Sequence, residues 1–176
     1  MRRVRYVVAM SLDGYIAGPN GEADWIIMDP DIDFGALFEQ FDAFLLGRKT
    51  FESMGGAGGG RQSGVQTIVF SRTLRQQDYP NVTIVSENPQ QVLADLRSKP
   101  GNDIWLFGGG LLFRSLLEAR LVDAVEVSVM PLLLGEGIPL LPAKPSSERY
   151  KLSLASNRAF ETGIVSLEYA VEYEPA

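Results

Sequence analysis

The chain has 176 residues, a hydrophobic content of 45% and a formal net charge of -6 at pH 7, so it can bury a full core as one domain and is too acidic to bind a nucleic-acid backbone. It contains neither cysteine nor histidine, which excludes disulfides, thiol nucleophiles, Ser-His-Asp triads and Cys/His zinc sites. No apolar run approaches the roughly 18 residues of a membrane span, and the N-terminus enters a strand pattern rather than a signal peptide, so we expect a cytoplasmic protein.

The remaining reactive groups are carboxylates, hydroxyls, lysine and tyrosine, so the chemistry depends on these groups or on a bound cofactor. Hydride transfer from a nicotinamide fits this composition, because the cofactor supplies the reactive atom. The protein then supplies position and a route for one proton.

The N-terminal segment predicts a strand at residues 3–10, a turn at Asp13-Gly14 and a short returning strand at Tyr15–Ala17. The stretch from Gly18 to Trp25 predicts an irregular loop that ends on an aromatic residue. Trp25 belongs either to a lid over a site or to a plug at the edge of the core, and the sequence favours neither.

An acidic segment, Asp29 to Asp33, precedes a predicted amphipathic helix from Phe34 to Asp42. Asp31 and Asp33 have two possible roles. They cap the helix and supply acid to its first turn, or one of them faces inward as the only ionisable group of an apolar pocket. In such a pocket the pKa of the carboxyl would be raised, which suits proton delivery.

A buried strand at 43–46 leads into Gly47, which opens a second predicted helix. This turn carries Arg48, Lys49 and Thr50, and a basic pair with a hydroxyl beside a helix start is a good seat for a phosphate. A solvated surface pair is the alternative, and we favour the phosphate. The glycine-rich run 55–60 predicts a mobile connection, because no strand precedes it and no helix follows.

Strands are predicted next at 67–70 and 82–85, and the first of them ends on a cluster of hydroxyls and positive charge, Ser71-Arg72-Thr73. A helix is predicted over 89–98, where proline stands at the start and the apolar residues share one face.

Three consecutive glycines at 108–110 follow a buried strand at 103–107 and open into an apolar-periodic helix from Leu111 to about Glu118. Residues without Cβ allow a ligand to approach the backbone, and N–H groups at a helix start attract anions. The segment therefore predicts a cradle for a phosphate or pyrophosphate, and a tight turn without a ligand is the alternative.

The C-terminal third begins with a strand at 122–130 in which Ser128 faces away from the valines. The apolar loop 131–142 needs cover from the core or from a second subunit, so we expect a homodimer. The last two strands, 150–157 and 164–172, predict an antiparallel hairpin at the edge of the sheet.

Alternating strands and helices predict an α/β fold with a mostly parallel central sheet, helices on both faces and the antiparallel C-terminal hairpin. Ligands of such sheets bind beyond the carboxyl ends of the strands. The clusters at 47–50, 71–73 and 108–110 all lie at such ends. If they converge, they hold an extended small molecule with more than one phosphate.

Five motifs, taken in order along the chain, resemble those of proteins with the dihydrofolate reductase fold and, within it, of the riboflavin-biosynthesis reductase (RibD C-terminal) domain. They are Ser11-Leu-Asp-Gly-Tyr-Ile-Ala, Leu46-Gly-Arg-Lys-Thr-Phe-Glu-Ser, Val69-Phe-Ser-Arg, Leu106-Phe-Gly-Gly-Gly and Pro131-Leu-Leu-Leu-Gly-Glu-Gly-Ile-Pro-Leu. The resemblance spans nearly the whole chain and implies NADPH as cofactor.

The same resemblance implies roles for individual residues. Cofactor contacts fall on Ala9, Ile16, Ala17, Gly47, Arg48, Lys49, Thr50, Ser71, Arg72, Gly108, Gly109, Gly110, Leu111, Leu112 and Phe113. Acceptor contacts fall on Trp25, Phe34 and Ser128, and the catalytic acid falls on Asp31 or, with a two-residue gap, on Asp33.

One departure concerns the acceptor. Folate reductases usually carry an arginine before the strand at 67–70, and this chain has Gly64-Val-Gln66 there. The sequence therefore predicts an NADPH-dependent reductase of a C=N or C=O carbon in a small heterocyclic or ribosylated pyrimidine/pterin-like acceptor. The alternatives are a non-catalytic NADPH- or nucleotide-binding module, a phosphate-sugar enzyme and a dihydrofolate reductase.

Overall fold

The computed structural model describes residues 1–56, 64–144 and 148–173. Within them the strands are β1 (Val4–Ser11), β2 (Tyr15–Ala17), β3 (Phe41–Gly47), β4 (Gln66–Phe70), β5 (Thr83–Val85), β6 (Asp103–Gly108), β7 (Ala124–Met130), β8 (Ile138–Pro139), β9 (Lys151–Ala159) and β10 (Val165–Glu172). The helices are α1 (Phe34–Phe38), α2 (Arg48–Ser53), α3 (Pro89–Ser98) and α4 (Gly110–Glu118), and a 3-10 helix spans Gln76–Asp78.

Eight of these strands form one sheet in the order β5-β4-β3-β6-β1-β7-β10-β9. The first six run parallel to one another, and β10 runs antiparallel to both β7 and β9. The predicted mostly parallel sheet with an antiparallel C-terminal hairpin at its edge is confirmed. The short strand β2 pairs with β8 instead of joining this sheet.

Alternate residues of each strand point to opposite sides of the sheet. Helices pack on both sides and bury these residues in two cores. One core packs α3 and α4 against residues such as Tyr6 and Leu45. The other core packs α1 and α2 against an aromatic cluster centred on Trp105. In the part of the chain that the structure describes, none of the helices is long and apolar enough to cross a membrane.

The prediction of a helix from Phe34 to Asp42 is wrong at its C-terminal end, since α1 stops at Phe38 and β3 begins at Phe41. Phe41 is only 3% exposed, and its ring lies 4.9 Å from that of Trp105. Burial of this ring in the sheet outweighs a continued helix, whose second residue, Gly35, is a poor helix former. The predicted α3 is confirmed, whereas residues 57–60 of the predicted glycine loop lie outside the described residues.

Candidate functional site

The two glycine turns that follow β3 and β6 lie side by side at the carboxyl edge of the sheet. A Cβ atom on Gly47 would lie 3.5 Å from the Gly108 oxygen and 3.6 Å from the Gly109 nitrogen. A Cβ atom on Gly109 would lie 3.4 Å from the Thr50 hydroxyl oxygen. The absence of side chains at these positions therefore keeps open the space where the two turns meet.

The second turn leads directly into α4. Gly108 has a φ of 115°, which only glycine adopts readily, and its peptide bond to Gly109 is cis. Gly109 is the N-cap of α4 and, as a glycine, has no side chain with which to cap this helix start. The N–H groups of the first turn are consequently available to an anion, and the partial positive charge of the helix terminus adds to the attraction.

Basic side chains stand next to this space. Gly47 of β3 and Phe70 of β4 are register partners, so Arg48 and Ser71 follow neighbouring strand ends. The Arg48 guanidinium lies 2.8 Å from the Glu52 carboxylate, and both side chains are more than 40% exposed. Lys49 and Arg72 are exposed. An exposed pair of this kind is weak, so Arg48 can exchange Glu52 for a ligand phosphate at little cost.

Ser71 has a different role from its basic neighbours. It is 8% exposed, and its hydroxyl oxygen accepts hydrogen bonds from the backbone N–H groups of Thr73 at 3.2 Å and Leu74 at 3.0 Å. The side chain therefore shapes the turn that presents Arg72.

Neither candidate acid lies in an apolar pocket. Asp33 is the N-cap of α1 and accepts a hydrogen bond from the Ala36 N–H at 2.9 Å, which confirms the capping interpretation. The Asp31 side chain is 69% exposed, and its carboxylate lies 4.0 Å from the Arg158 guanidinium. Of the two alternatives, the one in which Asp31 or Asp33 is the only ionisable group of an apolar pocket is therefore wrong, while their catalytic role stays a prediction.

The buried carboxylate of this segment is Asp29, which the sequence analysis did not single out. It is 5% exposed, accepts a hydrogen bond from the Thr162 hydroxyl at 2.6 Å and accepts another from the Asp31 N–H at 2.9 Å. The Thr162 hydrogen bond holds the pKa of Asp29 below its usual value. Asp29 thereby ties the acidic segment to the turn between β9 and β10 and fixes the backbone at Asp31.

A polar row crosses the sheet near the same edge. Ala9, Ser128, Ser166 and Arg158 are successive register partners on β1, β7, β10 and β9, so their side chains share one face. The Ser128 and Ser166 hydroxyl oxygens are 3.2 Å apart. Ser128 was a candidate from the family resemblance, whereas Ser166 and Arg158 were missed, because only the register of the C-terminal hairpin brings them to this row.

The remaining candidates differ in their access to solvent. Ile16, Ala17, Trp25, Phe34 and Leu112 are half-buried, whereas Leu111 is 74% exposed. The Trp25 indole N–H donates to the Glu22 carbonyl at 3.0 Å. Phe113 is 3% exposed and stacks on Tyr6 with 4.0 Å between ring centroids. The Phe113 ring therefore lies in the core, and this burial argues against the predicted contact with a cofactor.

The loop 131–142 is attached to the end of β1 by Asp13. The carboxylate accepts hydrogen bonds from the Ser11 hydroxyl at 2.6 Å and from the N–H groups of Leu134 at 3.0 Å and Gly135 at 2.7 Å. The Ser11 hydrogen bond and these backbone donors lower the pKa of Asp13 to about 2. This attachment gives a physical reason for the Ser-Leu-Asp-Gly and Leu-Leu-Gly motifs to occur in one chain.

Replacing Asp13 by asparagine is expected to destabilise the fold, because the amide offers one acceptor oxygen to three donors. The folded-state pKa of about 2 lies below the unfolded value of about 3.9, so the carboxylate's contribution is complete above the unfolded value and is lost as the pH falls through the folded value. Urea unfolding of both proteins should give a stability difference that is constant near neutrality and shrinks below about pH 4. A difference that stays constant down to about pH 2.5 would contradict this account.

An open cavity of about 740 Å³ lies at the opposite, amino-terminal edge of the sheet. Four arginines line it, but all four are engaged in ion pairs, and these pairs neutralise much of its positive charge. The pairs are Arg2–Asp42, Arg3–Asp103, Arg5–Glu126 and Arg97–Asp123. The space where the two glycine turns meet at the carboxyl edge is therefore the better candidate for a phosphate-bearing ligand.

The amino-acid sequence of this chain resembles those of known proteins. The model of the RibD C-terminal domain family matches residues 2–166. The chain is 34% identical to uncharacterized protein YyaP of Bacillus subtilis (strain 168) over an alignment that covers 96% of this chain and 94% of that protein.

Solved structures share this fold. A protein from Shewanella sp. PV-4 assigned to riboflavin biosynthesis has a TM-score of 0.80 at 26% identity, covering 98% of this chain and all of that one (100%). A diaminohydroxyphosphoribosylaminopyrimidine deaminase/5-amino-6-(5-phosphoribosylamino)uracil reductase of Thermotoga maritima has a TM-score of 0.74 at 17% identity, covering 97% and 56% of the two chains.

Dihydrofolate reductase from Enterococcus faecalis, solved in complex with NADP(H), has a TM-score of 0.69 at 19% identity, with 97% of each chain covered. At this identity the likeness concerns the fold alone. The family match, which spans nearly the whole chain, goes further. The chain belongs to the RibD C-terminal domain family, a reductase-like domain with the dihydrofolate reductase-like fold.

Proposed function

We propose that the protein is an NADPH-dependent reductase that delivers hydride to a C=N or C=O carbon of a small heterocyclic or ribosylated acceptor, of the kind that 5-amino-6-(5-phosphoribosylamino)uracil represents. The observation that carries the proposal is the contact between the two glycine turns at the carboxyl edge, beside the uncapped start of α4. Basic side chains flank this space on one side and the polar row lies on the same edge. The phosphates of the cofactor and the ring that is reduced would thus bind along the same edge of the sheet.

The described residues suit this cofactor. The N–H groups at Gly109 and Gly110 are suited to the pyrophosphate, since a side chain at Gly109 would narrow the space beside Thr50. Arg48, Lys49 and Arg72 are suited to the 2′-phosphate that distinguishes NADPH from NADH. Bound NADPH would supply the hydride, and the protein would orient it and exclude water.

The nicotinamide end is assigned to Ala9, Ile16 and Ala17. Ala9 stands next to Ser128 in the polar row, so an acceptor on this face would lie beside the ring that donates hydride. β2, which contains Ile16 and Ala17, is held by β8 and hence by the loop that Asp13 anchors.

On the acceptor side we propose Asp31, rather than Asp33, as the residue that assists protonation, through intervening water, because it lies at the Arg158 end of the row and not beside Ala9. Asp33 is committed to the α1 cap through the Ala36 N–H. Asp31 lies near Arg158, at the far end of the row that begins at Ala9. Trp25, Phe34 and Ser128 are proposed to contact the acceptor.

The exposure of Asp31 also supports a second candidate function, a module that binds NADPH without catalysis. A proton donor in a reductase is usually shielded from water, and Asp31 is 69% exposed. The two candidates predict the same cofactor binding and differ in turnover with an added acceptor. Dihydrofolate is not proposed as the acceptor, because Gly64-Val65-Gln66 provides no cation for its glutamate tail.

The test is a titration of the purified protein with NADPH and, in parallel, with NADH, followed by quenching of tryptophan fluorescence. We expect NADPH to bind at least about tenfold more tightly, which corresponds to ~1.4 kcal/mol. Equal affinity for NADPH and NADH would contradict the proposed 2′-phosphate site. If neither nucleotide binds, the reductase proposal is overturned. Consumption of NADPH in a panel of acceptors then separates a reductase from a binding module.

We also propose a homodimer. All nine residues of β9 are exposed, including Leu152 at 40% and Leu154 at 53%. An exposed edge strand with apolar side chains is prone to pair with another chain, and a second copy is the simplest cover. Sedimentation that gives only a monomer at micromolar concentration would contradict it.

A further inference from the structure

Arg158 differs from most arginines of this fold in how its guanidinium is held. The guanidinium carbon lies 4.4 Å from the centroid of the Phe160 ring, and the side chain remains 60% exposed. In the described residues no hydrogen bond joins this guanidinium to another group, whereas those of Arg2, Arg3 and Arg5 donate to carboxylates. Its fork of N–H donors is therefore oriented by an aromatic ring and open to a ligand.

The place of Arg158 in the polar row indicates how far it lies from Ala9, where the nicotinamide is proposed to bind. Arg158 is three strands away from Ala9, through Ser128 and Ser166. Neighbouring strands are separated by ~4.8 Å, so the two backbones are about 14 Å apart on the same face. An acceptor whose reactive ring lies at Ala9 and Ser128 would need a pendant group of sugar or short-chain length to reach the guanidinium.

The charges around Arg158 are those of a binding site with one exchangeable anion. Asp31 is 4.0 Å away and exposed, which makes a weak pair that a stronger anion can displace. Asp29 is engaged with Thr162, and the nearby charge of Arg158 contributes to its lowered pKa. A phosphate or carboxylate offers the two oxygens that a guanidinium binds best.

We propose that Arg158 binds an anionic group of the acceptor, a phosphate monoester or a carboxylate, and so selects heterocyclic acceptors that carry such a group on a sugar or short chain. The inference rests on the proposed function, since the reactive end of the acceptor is located by the nicotinamide at Ala9. Phe160 acts as a positioning residue for the guanidinium. Acceptors without an anion lose this contact.

The test uses the whole protein saturated with NADP+, so that the proposed 2′-phosphate seat is filled, and titrates it with inorganic phosphate or with glutarate. The readouts are the NMR resonance of the Arg158 side-chain N–H and the backbone amide of Ser166. We expect saturable shifts with at least one anion and about tenfold weaker binding of that anion in R158Q. The control R149Q removes the same charge from an exposed arginine outside the polar row and should leave both titrations unchanged.

The outcomes separate the possibilities. Shifts with phosphate alone assign a phosphate monoester, shifts with glutarate alone assign a carboxylate, and shifts with both support an anion of either kind. No saturable shift, or the same affinity in R158Q, overturns the proposal. Failure of NADP+ itself to bind is seen separately and counts against the reductase, while the anion titration can still be made on the protein without nucleotide.

Discussion

Replacing Arg48 and Arg72 together by alanine is expected to weaken NADPH binding by about 2–5 kcal/mol, which is ~30-fold or more in Kd. The two side chains follow the ends of the neighbouring strands β3 and β4, and each can make charge-assisted hydrogen bonds to a phosphate. NADH has no 2′-phosphate, so its affinity should change little. Fluorescence titration of the double variant with both nucleotides measures the two effects.

Two further variants separate a specific phosphate seat from a general effect of charge. Lys99→Ala removes a positive charge at the opposite edge of the sheet, where Lys99 lines the ion-paired cavity, and should leave NADPH affinity unchanged. Glu52→Gln removes the partner of Arg48 and should strengthen NADPH binding slightly. Equal losses for NADPH and NADH in the double variant would contradict the assignment of these residues to the 2′-phosphate.

The sequence predicts the parallel part of the sheet well for a local reason. Its strands are short apolar runs that end on glycine, hydroxyl or basic residues, and such a boundary is visible without knowledge of the partner strand. The helix α3 has proline at its first position and apolar residues on one face, and its predicted ends match the structure. The contact of Gly47 with the Gly108–Gly109 turn then follows from the rule that parallel strands end at one edge.

What the sequence does not predict depends on pairings between distant residues. The burial of Asp29 comes from Thr162, which is 133 residues away, and nothing in the acidic segment distinguishes it from Asp31 or Asp33. The position of Arg158 requires the register of β9 on β10, which contains an irregularity between Glu168 and Tyr169. Periodicity gives the face of a residue within one strand, but the register between strands determines its neighbours.

The early end of α1 has a similar cause. Amphipathic spacing continues past Phe38, yet Phe41 enters the sheet because its ring packs against Trp105 and beneath the Arg5 guanidinium, whose central carbon is 4.6 Å from the ring centroid. Helical propensity is worth tenths of a kilocalorie per residue, whereas burying a phenylalanine side chain is worth about 1.5–3 kcal/mol. Tertiary packing therefore decides where this helix ends.

Trp105→Ala is expected to lower the free energy of unfolding by about 3–5 kcal/mol, a large part of the total for a domain of this size. The side chain is 6% exposed and is surrounded by four phenylalanine rings at centroid distances of 4.6–5.7 Å. Its indole N–H donates to the Val7 carbonyl at 3.0 Å. Urea unfolding followed by circular dichroism measures the loss without relying on the fluorescence of the removed residue.

Two other substitutions show whether this loss comes from the aromatic cluster. Trp105→Phe keeps a ring but removes the donor to Val7 and should cost only about 1–2 kcal/mol. Trp25→Ala removes the other tryptophan, which is half-buried in a loop, and should change stability by less than ~1 kcal/mol. Since Phe38 of α1 packs 5.1 Å from Trp105, Trp105→Ala should also loosen the helix that follows Asp31 and Asp33. A Trp105→Ala protein as stable as Trp25→Ala would mean that the cluster does not hold α1, and the placement of Asp31 would then depend on Asp29 alone.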